Sequence, residues 1–537
     1  MPTLLVNDQE VEFGDDERLN GIQAAARAGV EIPHYCWHPG LSVVASCRMC
    51  LVESGRRDPE TGDVQMVPKL VPACQTPATE NAVFVTDSEK VQRARAMVEE
   101  DLLLNHPIDC PICDKAGECH LQDYHFQFGQ DERRADIRPF TSRRRSLGDT
   151  VTLFVDRCVM CSRCVRFCRE ISGTSELMVT NRGVEEEIDV FPGFPLENKL
   201  AGNVVDLCPV GALGDKDFLY SQRVWFMQNR DHVCAGCSAG CSIHVDENQD
   251  RIYRVRPREN QHVNGWWMCD EGRYGVAHVH DPRRVTELRR FEADQHVNIE
   301  WSALADELGT RLSGCQRLAA VLSPQLTVEE AYLLAQYVRG IDGDAILALG
   351  PVPSTGQDES FPGGFTIRAE KCPNRRGVEE IIKGIAGPLV TFDEFLPMIA
   401  QQSIDGIWVT GGYPSNWIDP AWAEKLSTAT TLIVQDLFHS PLWEQAAYQV
   451  PSAAFAERSG SYVNCADRLQ SFEWAIRPPA GVTVDGQLYW RLLNRAGLYQ
   501  PRGVLDDIAR EIPYFAVATD PVPSVGVDLK LNQLAVM

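Results

Sequence analysis

The chain has 537 residues, 44% of them hydrophobic and 23% charged, the balance of a globular protein with room for several cores. Its formal charge of −24 excludes nucleic acid as a partner, because phosphate binding needs a basic surface. No run of about 18 apolar residues is present to span a bilayer. Met1 to Asp8 lacks the basic-then-apolar pattern of a signal peptide, so membrane contact is expected only through partners.

Thr3 to Val6 and Glu10 to Phe13 read as short strands around Asn7-Asp8. Arg18 to Ala28 carries Leu19, Ile22, Ala25 and Ala26 at helical spacing, with Gly29 as a stop. That order opens a small ubiquitin-like domain, placed at residues 1–85. Its cysteines run Cys36-x10-Cys47-x2-Cys50-x23-Cys74. The close pair can grip one iron while the distant cysteines complete a second, the arithmetic of a [2Fe–2S] cluster. A zinc site would use the same four thiolates. Gly40, Ser42 and Ser46 suit a loop that turns N–H groups toward the sulfurs, and Ser54 to Gln65 reads as a polar loop.

Thr86-x-x-Glu89 has capping-box form. It predicts a helix carrying Val91, Ala94, Val98 and Leu102 and halted by Pro107. The helix delivers His106 into His106-x3-Cys110-x2-Cys113-x5-Cys119. An isolated histidine there is a cation facing the helix dipole. Three cysteines immediately downstream make it a fourth ligand instead. A neutral imidazole in place of a thiolate raises a cluster's potential. Gly117 suits the turn before Cys119, while His120 and His125 read as neighbours and not ligands. Arg133, Arg134, Arg138, Arg143, Arg144 and Arg145 form either a docking patch for an acidic neighbour or a solvated linker. This second segment covers residues 86–150.

Thr152 to Val155 reads as a strand entering Cys158-x2-Cys161-x2-Cys164, with Cys208-Pro209 following after 43 intervening residues. Three close thiolates and one remote Cys-Pro are the ferredoxin way of holding a [4Fe–4S] cube. Cys168 extends the local run, but no second triplet accompanies it, so it is read as free and buried. This domain spans residues 151–222. Cys234-x2-Cys237-x3-Cys241-x27-Cys269 is a fourth set, in residues 223–280, with Val245, Ile252, Tyr253 and Val255 in strands between its last two members. Sixteen of the nineteen cysteines fall between Cys36 and Cys269, and pairs at x2 spacing read as metal ligands rather than disulfides.

The order of these four sets resembles the family of the large iron–sulfur subunit (the G subunit) of bacterial NADH–quinone oxidoreductase, respiratory complex I. His106 to Gln122, Cys158 to Arg169 and Cys208 to Leu213 carry the likeness most specifically. The resemblance implies a [2Fe–2S] cluster on Cys36, Cys47, Cys50 and Cys74. It implies a cube on His106, Cys110, Cys113 and Cys119, and the next cube in the path on Cys158, Cys161, Cys164 and Cys208. The third cube, on Cys234, Cys237, Cys241 and Cys269, lies off the main route in that family and occurs in only some members. Residues 281–537 resemble a shortened molybdopterin-oxidoreductase α/β domain, kept as scaffold without its pterin. Arg317 to Leu322, Ala345 to Leu349 and Ile407 to Thr410 read as its strands, Leu326 to Val338 and Pro420 to Ser427 as helices, and Gly411-Gly412 as an ordinary turn. Ala456 to Asn464 resembles the family's late segment. The expected fold is therefore multidomain, α+β followed by α/β.

The implied function is electron relay with no catalytic residue of its own. The implied partners are a flavin- and NADH-binding subunit, a ferredoxin-like subunit with two [4Fe–4S] clusters, and quinone-module subunits. The assembly would be a hetero-oligomer, peripheral on the cytoplasmic side of the inner membrane. The rival readings are the catalytic subunit of an NAD-linked molybdenum or tungsten formate dehydrogenase, the electron-transfer subunit of an NAD-reducing hydrogenase, and a zinc-stapled scaffold.

Overall fold

Asn7 and Asp8 take φ of 46° and 68°, the left-handed pair that closes a tight hairpin, and fold β1 (Thr3–Val6) onto β2 (Gln9–Glu12). The computed structural model describes residues 1–132, 134–135, 143–183, 185–519 and 521–531. The chain divides into two units, residues 1–227 with 361–364, and residues 228–360 with 365–537. The first three ligand sets fall in the first unit. The fourth set and the C-terminal α/β domain share the second.

In the first unit α1 (Gly21–Arg27) begins at Asn20, whose side chain accepts from the Gln23 N–H at 3.0 Å while Gln23 accepts from the Asn20 N–H at 3.1 Å. This capping box starts the helix later than its apolar spacing suggested. The strands β3 (Leu51–Arg57), β4 (Val64–Met66), β5 (Val71–Pro72) and β6 (Ala82–Val85) complete a sheet of order β2-β1-β6-β3-β4, with β5 on β3. The polar stretch expected as a loop is strand as far as Arg57, and the Asp58 carboxylate turns the chain by accepting from Glu60 and Thr61 N–H. Cys50 and Cys74 lie in the same core as Leu4, Val6, Ile22, Val52 and Phe84.

The helix α2 (Glu89–Asn105) is capped by Ser88, not Thr86. The Thr86 hydroxyl instead accepts from Asn7 Nδ2. Its buried face is Val91, Arg95, Ala96 and Glu99, whereas the predicted stripe residues Ala94, Val98 and Leu102 are half-buried. α3 (His120–Phe128), β7 (Arg144–Ser146), β8 (Val151–Phe154), α4 (Arg163–Phe167), the hairpin of β9 (Leu177–Thr180) and β10 (Glu187–Val190), α5 (Asn203–Leu207) and β11 (Leu213–Asp215) follow. Internal ion pairs take up Arg134 on Glu100, Arg143 on Asp156 and Glu187, and Arg145 on Glu187 and Asp189. Arg133 and Arg138 lie outside the described residues.

The second unit opens with a three-stranded meander, β12 (Gln228–Val233), β13 (Ser242–Asn248) and β14 (Arg251–Pro257), followed by α6 (Asp270–Tyr274). The α/β body contains β15 (Arg289–Glu292), β16 (Gln295–Asn298), α7 (Trp301–Ser313), β17 (Leu318–Leu322), α8 (Val328–Ile341) and β18 (Ile346–Leu349). It continues through β19 (Glu359–Ser360), β20 (Thr366–Ile367), α9 (Arg375–Ala386), α10 (Phe392–Gln401), β21 (Gly406–Thr410), α11 (Pro420–Leu426), β22 (Thr431–Asp436), α12 (Pro441–Glu444) and β23 (Tyr448–Pro451). The sheet order is β16-β15-β23-β22-β21-β17-β18, with β17, β18, β21, β22 and β23 parallel. The strand order reverses between β17 and β21, the switch point at which such sheets bind ligands. Here the Gly412 N–H donates to the Asp436 carboxylate at 3.0 Å, and Trp417 Nε1 donates to its other oxygen at 2.7 Å. A buried carboxylate therefore ties the loop after β21 to the end of β22, and Gly412 takes a φ of 85° in that loop. β24 (Gly460–Val463), β25 (Arg468–Phe472), α13 (Asp485–Leu492), α14 (Pro501–Glu511) and β26 (Val527–Asp528) complete the fold. Among the described residues no helix is long and apolar enough to cross a membrane.

Candidate metal centres

In the first cysteine set Cys36, Cys50 and Cys74 are buried and Cys47 is half-buried. Ala45 and Arg48 take φ of 52° and 61°, which curls the loop so that the Cys47 and Ser46 N–H groups point at the Cys36 sulfur. Hydrogen bonds from the Cys47 and Cys74 thiols hold Cys36 toward its thiolate, and Cys74 does the same for Cys50. The four sulfurs are thus one connected group. Ser46 faces them as expected. The Gly40 N–H instead donates to His38 Nδ1, and Ser42 donates to Glu170.

The triplet of the next set is threaded through left-handed Met160 and Ser162, φ 48° and 57°. The Met160 N–H donates to the Cys158 sulfur at 3.4 Å, a contact that favours the thiolate. Burial first, then the facing groups of Cys161, Cys158 and Cys208, push the Cys164 thiol far up, which places Cys208 with the triplet. Cys168 is fully buried, and its thiol is raised by burial and by the Glu176 carboxylate to which it hydrogen-bonds.

His106 is the C-cap of α2, its N–H still donating to the Leu102 carbonyl. Burial first, then the Arg157 guanidinium, push its imidazole down to about 4, the neutral state a metal ligand requires. Beyond Pro107 the chain coils through successive turns. The Ile112, Cys113 and Ala116 N–H groups donate to the Asp109, Cys110 and Cys113 carbonyls. Gly117, at φ 90°, reverses the chain before Cys119. Arg157 Nε donates to Asp109 at 2.9 Å, and Arg223 donates to the Cys113 and Pro111 carbonyls. Cys113 and Cys119 are buried, and Cys110 is exposed.

In the fourth set all four cysteines are buried. The Gly236 and Gly272 N–H groups donate to the Cys234 and Cys269 sulfurs, each at 3.4 Å. A Cβ on Gly272 would lie 3.0 Å from the Cys234 sulfur and 3.6 Å from that of Cys269. The late segment supports this loop. Gln470 Nε2 donates to the Gly240 carbonyl at 2.7 Å, Asn464 Nδ2 to the Ala239 carbonyl at 3.1 Å, and the Cys465 N–H to the Ser238 carbonyl at 2.8 Å.

Within the first unit the three sets are laced together through the middle of α4. Arg166 Nη2 donates to the carbonyls of both Cys36 and Cys161, and Arg163 donates to those of Trp37 and Leu207. On the other side the His120 N–H donates to the Pro209 carbonyl at 2.9 Å. A Cβ on Gly211 would fall 2.1 Å from the Cys113 sulfur. The Cys158 set therefore touches both others, and the segment beside Cys36 also meets α3 directly, the His34 N–H donating to the Tyr124 hydroxyl at 3.2 Å. Spacing gave no signal for Arg157, Arg163, Arg166, Asn464 or Gln470, because each acts on a loop distant in sequence.

Among the described residues no three or more His, Cys, Asp or Glu side chains close around a single metal ion. The ligands of an iron–sulfur cluster are shared among two or four irons, so they need not close around one ion. The donor sets fit such clusters. The thiols are clustered, backbone N–H groups face sulfur, and glycines stand where a Cβ would intrude.

Family models match residues 2–89 (2Fe-2S iron-sulfur cluster binding domain) and 95–134 (NADH-ubiquinone oxidoreductase-G iron-sulfur binding region). Others match residues 148–214 (NADH-quinone oxidoreductase subunit 3, ferredoxin-like domain) and 227–281 (Molybdopterin oxidoreductase Fe4S4 domain). The chain is 31% identical over 336 residues to the G subunit of NADH-quinone oxidoreductase from Rickettsia felis, a match covering 62% of this chain and 48% of the relative. It is 33% identical over 335 residues to the NADH-ubiquinone oxidoreductase 75 kDa subunit of Reclinomonas americana, covering 62% and 47%. The match spans about half the length of these relatives. A solved structure titled as NAD+-reducing [NiFe]-hydrogenase in the H2-reduced state is similar at 26% identity and a TM-score of 0.34, over 42% of this chain and 91% of that one.

Proposed function

We propose that this chain is the iron–sulfur relay subunit of an NADH–quinone oxidoreductase, the kind of subunit its relatives are named for. In this reading it holds one [2Fe–2S] cluster on Cys36, Cys47, Cys50 and Cys74, and [4Fe–4S] cubes on the His106, Cys158 and Cys234 sets. When bound, the clusters supply reversible one-electron steps. The chain ties these sets to one another. Arg166 holds the Cys36 and Cys161 backbones together, and the Cys208-Pro209 turn holds the His106 set on the far side through His120. That continuous lacing is the observation that carries the proposal. It supports a route entering at the Cys36 set and leaving at the His106 set.

The flavin-bearing subunit would then sit by the Cys36 set. The two-cluster subunit and the quinone module would lie beyond His106, in a peripheral assembly on the cytoplasmic face. The formate dehydrogenase reading is not favoured, since the relatives are named as subunits of NADH-quinone and NADH-ubiquinone oxidoreductase. The test is anaerobic addition of NADH to the assembled complex, followed by low-temperature EPR. Appearance of the reduced [2Fe–2S] and cube signals is expected. A complex that stays EPR-silent with NADH but is reduced by dithionite would overturn the proposed route.

A further inference from the structure

The buried face of α2 carries a cation that the fold alone does not require. Arg95 is 3% exposed. Its Nε and Nη2 have no hydrogen-bond partner. An unpaired buried charge is among the costliest things a core can contain, so a partner is called for. Glu99, one turn along the same face, is not it. Glu99 is fully buried, and its Oε1 accepts from the Tyr35 hydroxyl. Burial, not Arg95, dominates its state, pushing its carboxyl up to about 7. On the other side the guanidinium lies over the Phe128 ring of α3, 5.0 Å from its centroid. The groups acting on Arg95 against its burial are Cys50, Asp87 and Tyr124, with Cys50 the strongest.

We propose that Arg95 is the counter-charge of the [2Fe–2S] centre, a positioning residue that sets its potential through Cys50. This rests on the reading of Cys36, Cys47, Cys50 and Cys74 as ligands. A cluster with four thiolates is a net anion, and each reduction adds another negative charge. α2 presents this buried face to the cysteine loop, since Glu99 one turn on meets Tyr35, the neighbour of Cys36. A desolvated guanidinium there stabilises the reduced form more than the oxidised form, which raises the midpoint. The charge left unpaired in the protein alone is then paired once the anionic cluster is present.

The experiment is an EPR-monitored redox titration of the intact complex carrying Arg95→Gln, Arg95→Met or Arg95→Lys, with iron counted in each. Both neutral variants should weaken reduction of the [2Fe–2S] signal at least tenfold, a fall of about 59 mV for a one-electron couple, with the cube signals unmoved. Arg95→Lys should stay near the unmodified midpoint. If the neutral variants instead lose about two irons while Arg95→Lys keeps them, the charge is needed to hold the anionic cluster at all, which also supports the proposal. Unchanged midpoints in the neutral variants would overturn it. So would Arg95→Lys behaving like Arg95→Gln, which would make shape the cause rather than charge. Absence of a [2Fe–2S] signal in the unmodified complex would remove the ligand reading itself, a different failure.

Discussion

His106 closes α2 with its imidazole held neutral by burial and by Arg157, beside three cysteines placed by a run of local turns. A fourth thiolate in its place would add negative charge to the same site. His106→Cys is therefore expected to retain the cube but lower its midpoint, read by redox titration; an unchanged midpoint would take His106 off the ligand set. Cys168 offers the converse. Its thiol is held by Glu176, so Cys168→Ser should leave the iron content intact, whereas loss of about four irons would make it a ligand. Both expectations were drawn from ligand spacing, which is local information. Arg166 was not legible in the sequence. It reaches Cys36 across 130 residues, and no periodicity or motif connects them.

Elements were legible where one face carries the signal. β17, β18 and β21 fall within a residue of the expected apolar runs. α2 exposes the weakness of that signal. The apolar spacing picked Val91, Ala94, Val98 and Leu102; Val91 is buried, but the rest of the face turned inward is Arg95, Ala96 and Glu99. Charged residues on a buried face are invisible to a rule that equates burial with apolarity. α8 and α13 make the same point. Arg458, 3% exposed, pairs with Glu330 in the first turn of α8 at 2.8 Å and with Asp485 at the start of α13 at 3.0 Å. Truncating one member of a buried ion group leaves its partners uncompensated, at a cost of about 3–5 kcal/mol. Arg458→Met should destabilise the second unit by that order in denaturant unfolding, with cluster loading of the first unit retained. A loss under about 1 kcal/mol, the value of a surface pair, would show that the clamp contributes little.

At the scale of the whole molecule, the domain order of the family models follows the order of the cysteine motifs. What the sequence did not convey was that the Cys158 set, third in chain order, touches both of the sets before it. The second unit should also show its buried carboxyls in its pH dependence. Burial pushes Glu329 up to about 7 and Asp436 up to about 6. Acids raised on folding bind more protons in the folded state, so the stability they contribute is complete below their ordinary range near pH 4. It is lost as pH rises through 6 to 7. The melting temperature should therefore fall from pH 5 to pH 8, and Glu329→Gln should flatten that fall. An equally steep fall in the variant would exclude Glu329 as its source.

Four clusters on the four cysteine sets, and no catalytic metal in the α/β domain, are the two proposals on which the relay reading stands. The most direct test is an iron, molybdenum, tungsten and zinc count on one anaerobically purified sample of the assembled complex, with the clusters of partner subunits subtracted. About 14 irons per chain and none of the other three metals are expected. Stoichiometric molybdenum or tungsten would make the C-terminal domain an active site, and zinc in place of iron would reduce the chain to a scaffold.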